Sequence, residues 1–116
     1  MKVISHYLEV KPKEEVPGAA MREVITGDDG ARNFSMRVFE VAPGGSTPFH
    51  SHPWEHEVFI LSGQGTVKGG SRESQLTGGS VVFIPADEHH CFMNNSQSEP
   101  LHFVCLIPIQ GACSLQ

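Results

Sequence analysis

The sequence has few basic residues and gathers them nowhere. Eight Lys and Arg stand against thirteen Asp and Glu, a formal charge of −5 over 116 residues. Proteins that grip nucleic acid or anionic membranes cluster Lys and Arg on one face, so neither partner is expected. No apolar run approaches the ~18 residues that a membrane-spanning helix needs. The opening residues MKVISHYLEVKP contain no long apolar segment and do not read as a secretory signal. The cytoplasm is the expected compartment. Cysteine is scarce too: Cys91, Cys105 and Cys113, without CxxC spacing. An odd number without a signal predicts free thiols rather than a disulfide framework. No long segment has helical periodicity, and no repeat or low-complexity tract occurs. A chain of this length makes one domain, 1–116, and its 39% apolar content suffices for one modest core.

What the sequence does have is short apolar segments between Gly- and Pro-rich turns. Residues 3–10 read as an extended edge segment and 11–15 as a charged stretch. Strands are predicted over 21–26, 33–41, 57–62, 66–68, 73–76, 80–84, 90–93 and 101–107. Within 33–41, Phe34, Met36 and Val38 alternate with Ser35, Arg37 and Phe39. Gly63-Gln64-Gly65 marks a hairpin. Strands of this length with regular turn signals predict an all-β antiparallel sandwich or barrel. Runs such as Val81-Val82-Phe83-Ile84 are apolar on both faces. The outer face needs cover from the N-terminal segment or from a second subunit, so a homodimer is expected.

Two stretches carry the chemistry. The first, 44–63, reads GGSTPFHSHPWEHEVFILSG and holds His50, His52 and His56. On a strand, His50 and His52 point the same way, and His56 opens the next apolar segment. The second, 79–94, reads GSVVFIPADEHHCFMN and holds His90. A single histidine at such a place would read as an ordinary core or surface residue. Four brought together make a metal site, because neutral imidazole is the commonest protein ligand for transition metals.

The pair of stretches resembles the two motifs of the cupin superfamily. The first motif matches as Gly44, five residues, His50-Ser51-His52, three residues, His56, six residues, Gly63. The second matches as Gly79, five residues, Pro85-Ala86-Asp87, two residues, His90, three residues, Asn94. Asp87 stands where the family has Gly, and Asp tolerates a left-handed turn better than most residues. His56 stands where the family has Glu. That change resembles a subgroup of small single-domain cupins with four-histidine sites, some of which hold manganese. The likeness extends over about 33–108. It implies a double-stranded β-helix, a jelly-roll barrel with one divalent transition metal inside. Manganese or iron lead; nickel, copper, cobalt and zinc also accept imidazole. It further implies a metal-dependent oxidoreductase of dioxygenase type acting on a small organic molecule. The alternatives are a non-redox isomerase or lyase, and a small-ligand-binding module without turnover.

The third ligand is ambiguous by spacing, since His56 and Glu57 both follow His-x-His at an allowed distance. The count back from Gly63 favours His56. Strand parity makes the choice exclusive, because neighbours face opposite ways. Glu55 and Glu57 then become candidate carboxylates that accept the free N–H of a ligand histidine and fix its tautomer. Phe103, Cys105 and Ile107 share one strand face and are expected to line the cavity. Phe92 and Asn94 share the parity of His90. Arg37 is a candidate cation near the mouth, suited to a carboxylate. Trp54 is expected to pack at the rim. His6, His89, His102, Cys91 and Cys113 are given no metal role.

Overall fold

Alternation of side chains decides the architecture, because each strand has one apolar face to bury. The protein is described by a computed structural model covering residues 1–109; Cys113 lies outside the described residues. Nine strands follow in order: β1 (Lys13–Val16), β2 (Ala19–Ile25), β3 (Phe34–Val41), β4 (His56–Ser62), β5 (Gln64–Lys68), β6 (Glu73–Thr77), β7 (Val81–Ile84), β8 (Cys91–Met93) and β9 (Leu101–Pro108). They form a six-stranded sheet in the order β1-β2-β3-β9-β4-β7 and a three-stranded sheet in the order β6-β5-β8. Every pairing is antiparallel. The expected all-β jelly-roll barrel is the fold. Among the described residues no helix is long and apolar enough to cross a membrane.

The register sorts the strand residues by face. Arg37 of β3 lies opposite Cys105 of β9, which lies opposite Val58 of β4. Phe39 lies opposite Phe103, which lies opposite Ile60. These residues face inward. With Val41, Ile84, Phe92, Leu101 and Ile107 they make up most of the core. Each fully buried apolar side chain contributes roughly 1.5–3 kcal/mol. On β3 the inward set is Ser35, Arg37, Phe39 and Val41, the more polar of its two alternating sets.

The opposite face of the same sheet carries Phe34, Met36, Phe59, Leu61, Val81 and Phe83, all exposed. The N-terminal segment covers only part of it. Arg22 donates from Nε to the Val10 carbonyl at 2.9 Å and lies over the Tyr7 ring. Tyr7 in turn meets His102 edge-on.

Two departures from the sequence reading concern this segment. Residues 3–10 are not a strand; Tyr7–Glu9 form a 3-10 turn, whose first exposed N–H is taken by the His6 side chain at 3.2 Å. The charged stretch over 11–15, read without a strand, instead contributes to β1 from Lys13. A charged outermost strand is a common way to keep a sheet edge from pairing further.

Backbone turns hold the motif ends. Gly63 sits at φ 93, and a Cβ there would collide with the Pro100 carbonyl, so the β4–β5 hairpin requires glycine. Asp87 sits at φ 69, in the left-handed region expected for the family's glycine.

Candidate metal centre

His56 opens β4 and points inward with Val58 and Ile60. The other three histidines lie just outside regular strands. His50 and His90 form an isolated antiparallel bridge. The His50 N–H donates to the His90 carbonyl at 3.1 Å, and the His90 N–H returns the bond at 2.9 Å. His52 follows in an irregular stretch whose carbonyl accepts the Asp87 N–H at 2.8 Å. The loop after β7 is thereby tied to the loop before β4, and four imidazoles arrive in one place.

Ring centroids of His50, His52, His56 and His90 lie between 4.3 and 5.2 Å apart in every pair recorded. Ligand atoms of His50, His52 and His90 all fall within 4.8 Å of one another. Each ring is oriented through its Nδ1. His50 donates to the Pro48 carbonyl at 2.7 Å, His52 to the Trp54 carbonyl at 3.3 Å, and His90 to the Glu88 carbonyl at 2.8 Å. A carbonyl can only accept, so each Nδ1 carries the hydrogen and each neutral ring keeps a free lone pair on Nε2. His56 differs: its Nδ1 lies 2.8 Å from Cys105 Sγ. Its Nε2 lies 2.6 Å from the His52 Nε2. Two nitrogen lone pairs that close repel, so a proton or a metal ion belongs between them.

The site also favours uncharged rings. Burial pushes His56 down to about 2, helped by its imidazole neighbours and Arg37. Burial likewise pushes His52 down to about 4 and lowers His90, against the opposing pull of the Trp54 and Glu88 carbonyls. A metal needs neutral imidazole, and burial disfavours the protonated form of all three of these rings. Free Nε2 lone pairs, fixed tautomers and a close Nε2 pair fit a divalent transition metal.

The pocket against these rings is lined by Arg37, Phe39, Thr47, Pro48, Phe92, Phe103 and Cys105 and encloses about 30 Å³. Phe39 stacks on Phe103 at 4.9 Å and Phe92 on Phe103 at 4.6 Å, giving an aromatic wall. A wider hollow of about 420 Å³ lies between β6 and β7 and reaches only His90 among the four rings. We take the smaller pocket as the site, because all four imidazoles line it.

The structure places the other expected residues as follows. Phe92, Phe103 and Cys105 border the pocket, while Ile107 faces the same way but packs in the core. Val104 and Leu106 face the other side of the sheet. Asn94 is buried and holds backbone: its amide donates to the Val41 and Glu99 carbonyls. Trp54 stacks flat on His52 at 4.5 Å. Arg37 lines the pocket and is 5% exposed, with Nη2 donating to Cys105 Sγ at 3.2 Å. Glu57 faces outward and is exposed, as parity requires when His56 faces in. Glu55 is exposed too. The expectation that these two carboxylates orient ligand histidines is corrected: three backbone carbonyls and the Cys105 sulfur do so. Each of those three carbonyls lies two residues from its histidine, so the local turn of the chain brings it to the ring. Phe39, Thr47 and Pro48 were missed as lining residues. Phe39 shares the parity of Arg37, a signal that was available.

Residues 37–107 match the family profile described as Cupin domain. The chain is 33% identical over 86 residues to 1-methylthio-D-xylulose 5-phosphate methylsulfurylase of Rhodospirillum rubrum, covering 74% of this chain and 54% of that protein. The chain thus spans about half the length of that curated relative. Among solved structures it is similar to the polyketide cyclase RemF from Streptomyces resistomycificus, with TM-score 0.82 and 33% identity, over 94% of this chain and 80% of RemF. A cupin 2 domain-containing protein from Halorhodospira halophila gives TM-score 0.76 and 31% identity, over 84% of this chain and 68% of the other.

Proposed function

The chain belongs to the Cupin domain family, and from that premise we propose that it is a metal-dependent enzyme acting on a small organic molecule inside the barrel. One observation carries this reading: four histidines with oriented rings converge beside a pocket walled by aromatic side chains. His50, His52, His56 and His90 would hold the metal, a ligand set that resembles the four-histidine, manganese-type cupins. Manganese or iron remain the leading metals. When bound, the metal supplies Lewis acidity, polarising a substrate oxygen or binding an oxidant beside the substrate. The chain's own residues orient the four imidazoles, exclude water with Phe39, Phe92 and Phe103, and hold a cation at Arg37.

Within that function we first consider an oxidoreductase of dioxygenase type. A second, non-redox reading is favoured by charge. Four neutral imidazoles leave a divalent metal its full charge, and Arg37 adds another positive charge nearby, which disfavours a higher oxidation state. Neither of the two similar proteins, a polyketide cyclase and a methylsulfurylase, is named as a dioxygenase. Turnover screens under manganese, iron and zinc, with dissolved dioxygen followed by electrode, separate the readings. Oxygen uptake coupled to substrate loss supports the dioxygenase. Turnover under zinc without oxygen uptake supports an isomerase or lyase. Tight ligand binding with no turnover under any metal reduces the protein to a binding module.

We also propose a homodimer through the uncovered outer face of the six-stranded sheet. Phe59 lies in register between Val104 and Val81, and the next row joins Met36, Leu106, Glu57 and Phe83. A two-fold pairing would bury this patch against its own copy.

A further inference from the structure

We propose that the pocket takes a small carboxylate anion, with Arg37 as its counter-charge; this names the ligand class of the metal centre proposed above and rests on that reading. Arg37 projects from the inward face of β3 and is 5% exposed. Its recorded polar contact is with the Cys105 sulfur at 3.2 Å, a weak acceptor. Its Nε is buried without a partner. None of the ion pairs among the described residues involves it. The guanidinium otherwise lies over the Phe39 ring at 5.0 Å. A buried charge without an opposite charge is costly, so such a group marks a place where an anion binds.

The charge inventory of the pocket agrees. Among the described residues no carboxylate lines it. Glu55 and Glu57 are exposed. Glu88 acts on His90, and it too is exposed. The field of Arg37 reaches the rings of His52 and His56. Four neutral rings, one guanidinium and a divalent metal therefore leave three positive charges facing no protein anion.

Size and shape narrow the class. A cavity volume of about 30 Å³ admits a group of about two water-sized oxygens, judged against the ~10–15 Å³ that one water requires. A flat carboxylate matches both that volume and the planar guanidinium fork. The Phe39, Pro48 and Phe92 walls leave the remainder of the ligand an apolar exit.

The test compares acids with their uncharged amides: acetate with acetamide, lactate with lactamide, benzoate with benzamide, and inorganic phosphate as a rival anion. Binding to cobalt-loaded protein is read from the visible absorption of the metal, and binding to metal-free protein by ligand-observed NMR. We expect at least one acid to bind tenfold or more tightly than its amide. That gap should fall below threefold in Arg37→Gln and survive in part in Arg37→Lys. Equal binding of every acid and amide, a gap unchanged in Arg37→Gln, or phosphate outcompeting all the acids would each overturn the proposal. If Arg37→Gln does not fold, the acid–amide gap in the parent and in Arg37→Lys decides. Metal content is measured on the same samples. A chain that takes up no metal overturns the metal reading, while the metal-free arm still decides whether Arg37 attracts carboxylate.

Discussion

Replacing Cys105 should weaken metal binding although sulfur is not among the four expected ligands. The Sγ atom is the partner of His56 Nδ1 at 2.8 Å and of Arg37 Nη2 at 3.2 Å. In Cys105→Ala, both nitrogens lose that partner, and Arg37, His56 and residue 105 are all buried. A buried donor left unsatisfied costs about 1–3 kcal/mol. Loss of a group that orients a ligand histidine costs ~10–100-fold in metal affinity, which is about 1.4–2.7 kcal/mol. The two figures overlap, and the expectation is a loss near ~30-fold. Cys105→Ser keeps an acceptor at that place and should recover most of the loss. Cys91→Ala is the control: Cys91 is a buried free thiol that does not line the pocket. It should cost stability without changing metal affinity. Competition against a chromophoric chelator at fixed pH measures all three variants. Metal affinity in Cys105→Ala within twofold of the parent would refute the reasoning, and so would equal losses in Cys105→Ala and Cys91→Ala.

Metal titration also decides the third ligand: His56→Ala should lose most affinity, and Glu57→Gln, whose side chain faces outward, should change it by less than about threefold. The reverse ranking would restore a three-histidine, one-carboxylate site. Acid should act through the same rings. The folded chain holds His52 near 4 and His56 near 2, below the 6.5 of a free imidazole. Between those values the unfolded chain binds more protons than the folded one, so stability of the metal-free protein should fall as pH drops below ~6.5 and go on falling through pH 4 toward 2. Metal occupancy should decline in the same direction, because protons compete for the imidazoles. Denaturant midpoints that stay level from pH 7 to 4 would contradict this. Light scattering should report twice the single-chain mass, and Phe59→Lys with Phe83→Lys should shift it to a monomer. A parent protein of single-chain mass would remove the dimer.

Much of the fold was legible because strand chemistry is local. Turn residues at Gly63-Gln64-Gly65 and around Gly79 bounded the segments, and β3, β4, β5, β6, β7 and β9 begin and end within one or two residues of where alternation and turns put them. The N-terminal segment was harder. Its residues 3–10 have an apolar content that fits a strand, yet they join neither sheet; Tyr7 lies against Arg22, whose Nε donates to the Val10 carbonyl. β3 was ambiguous for a different reason. Phe34, Met36 and Val38 form the more apolar set, and hydrophobicity alone would turn them inward. The register with β9 turns Arg37 and Phe39 inward and leaves Phe34 59% exposed.

The sequence by itself determined that His50, His52, His56 and His90 belong to one centre, because motif spacing is a property of the chain. It determined the parity that separates His56 from Glu57, because neighbours on a strand must face opposite ways. Only the tertiary structure decided what orients each ring. The carbonyls of Pro48, Trp54 and Glu88 are close in sequence to their histidines, but Cys105 meets His56 across 49 residues. Only the tertiary structure, too, placed Arg37 against the histidine pocket with no carboxylate among its described lining residues. Which long-range neighbours a charge acquires depends on how strands pair, and strand order is set by the whole apolar core rather than by any one segment.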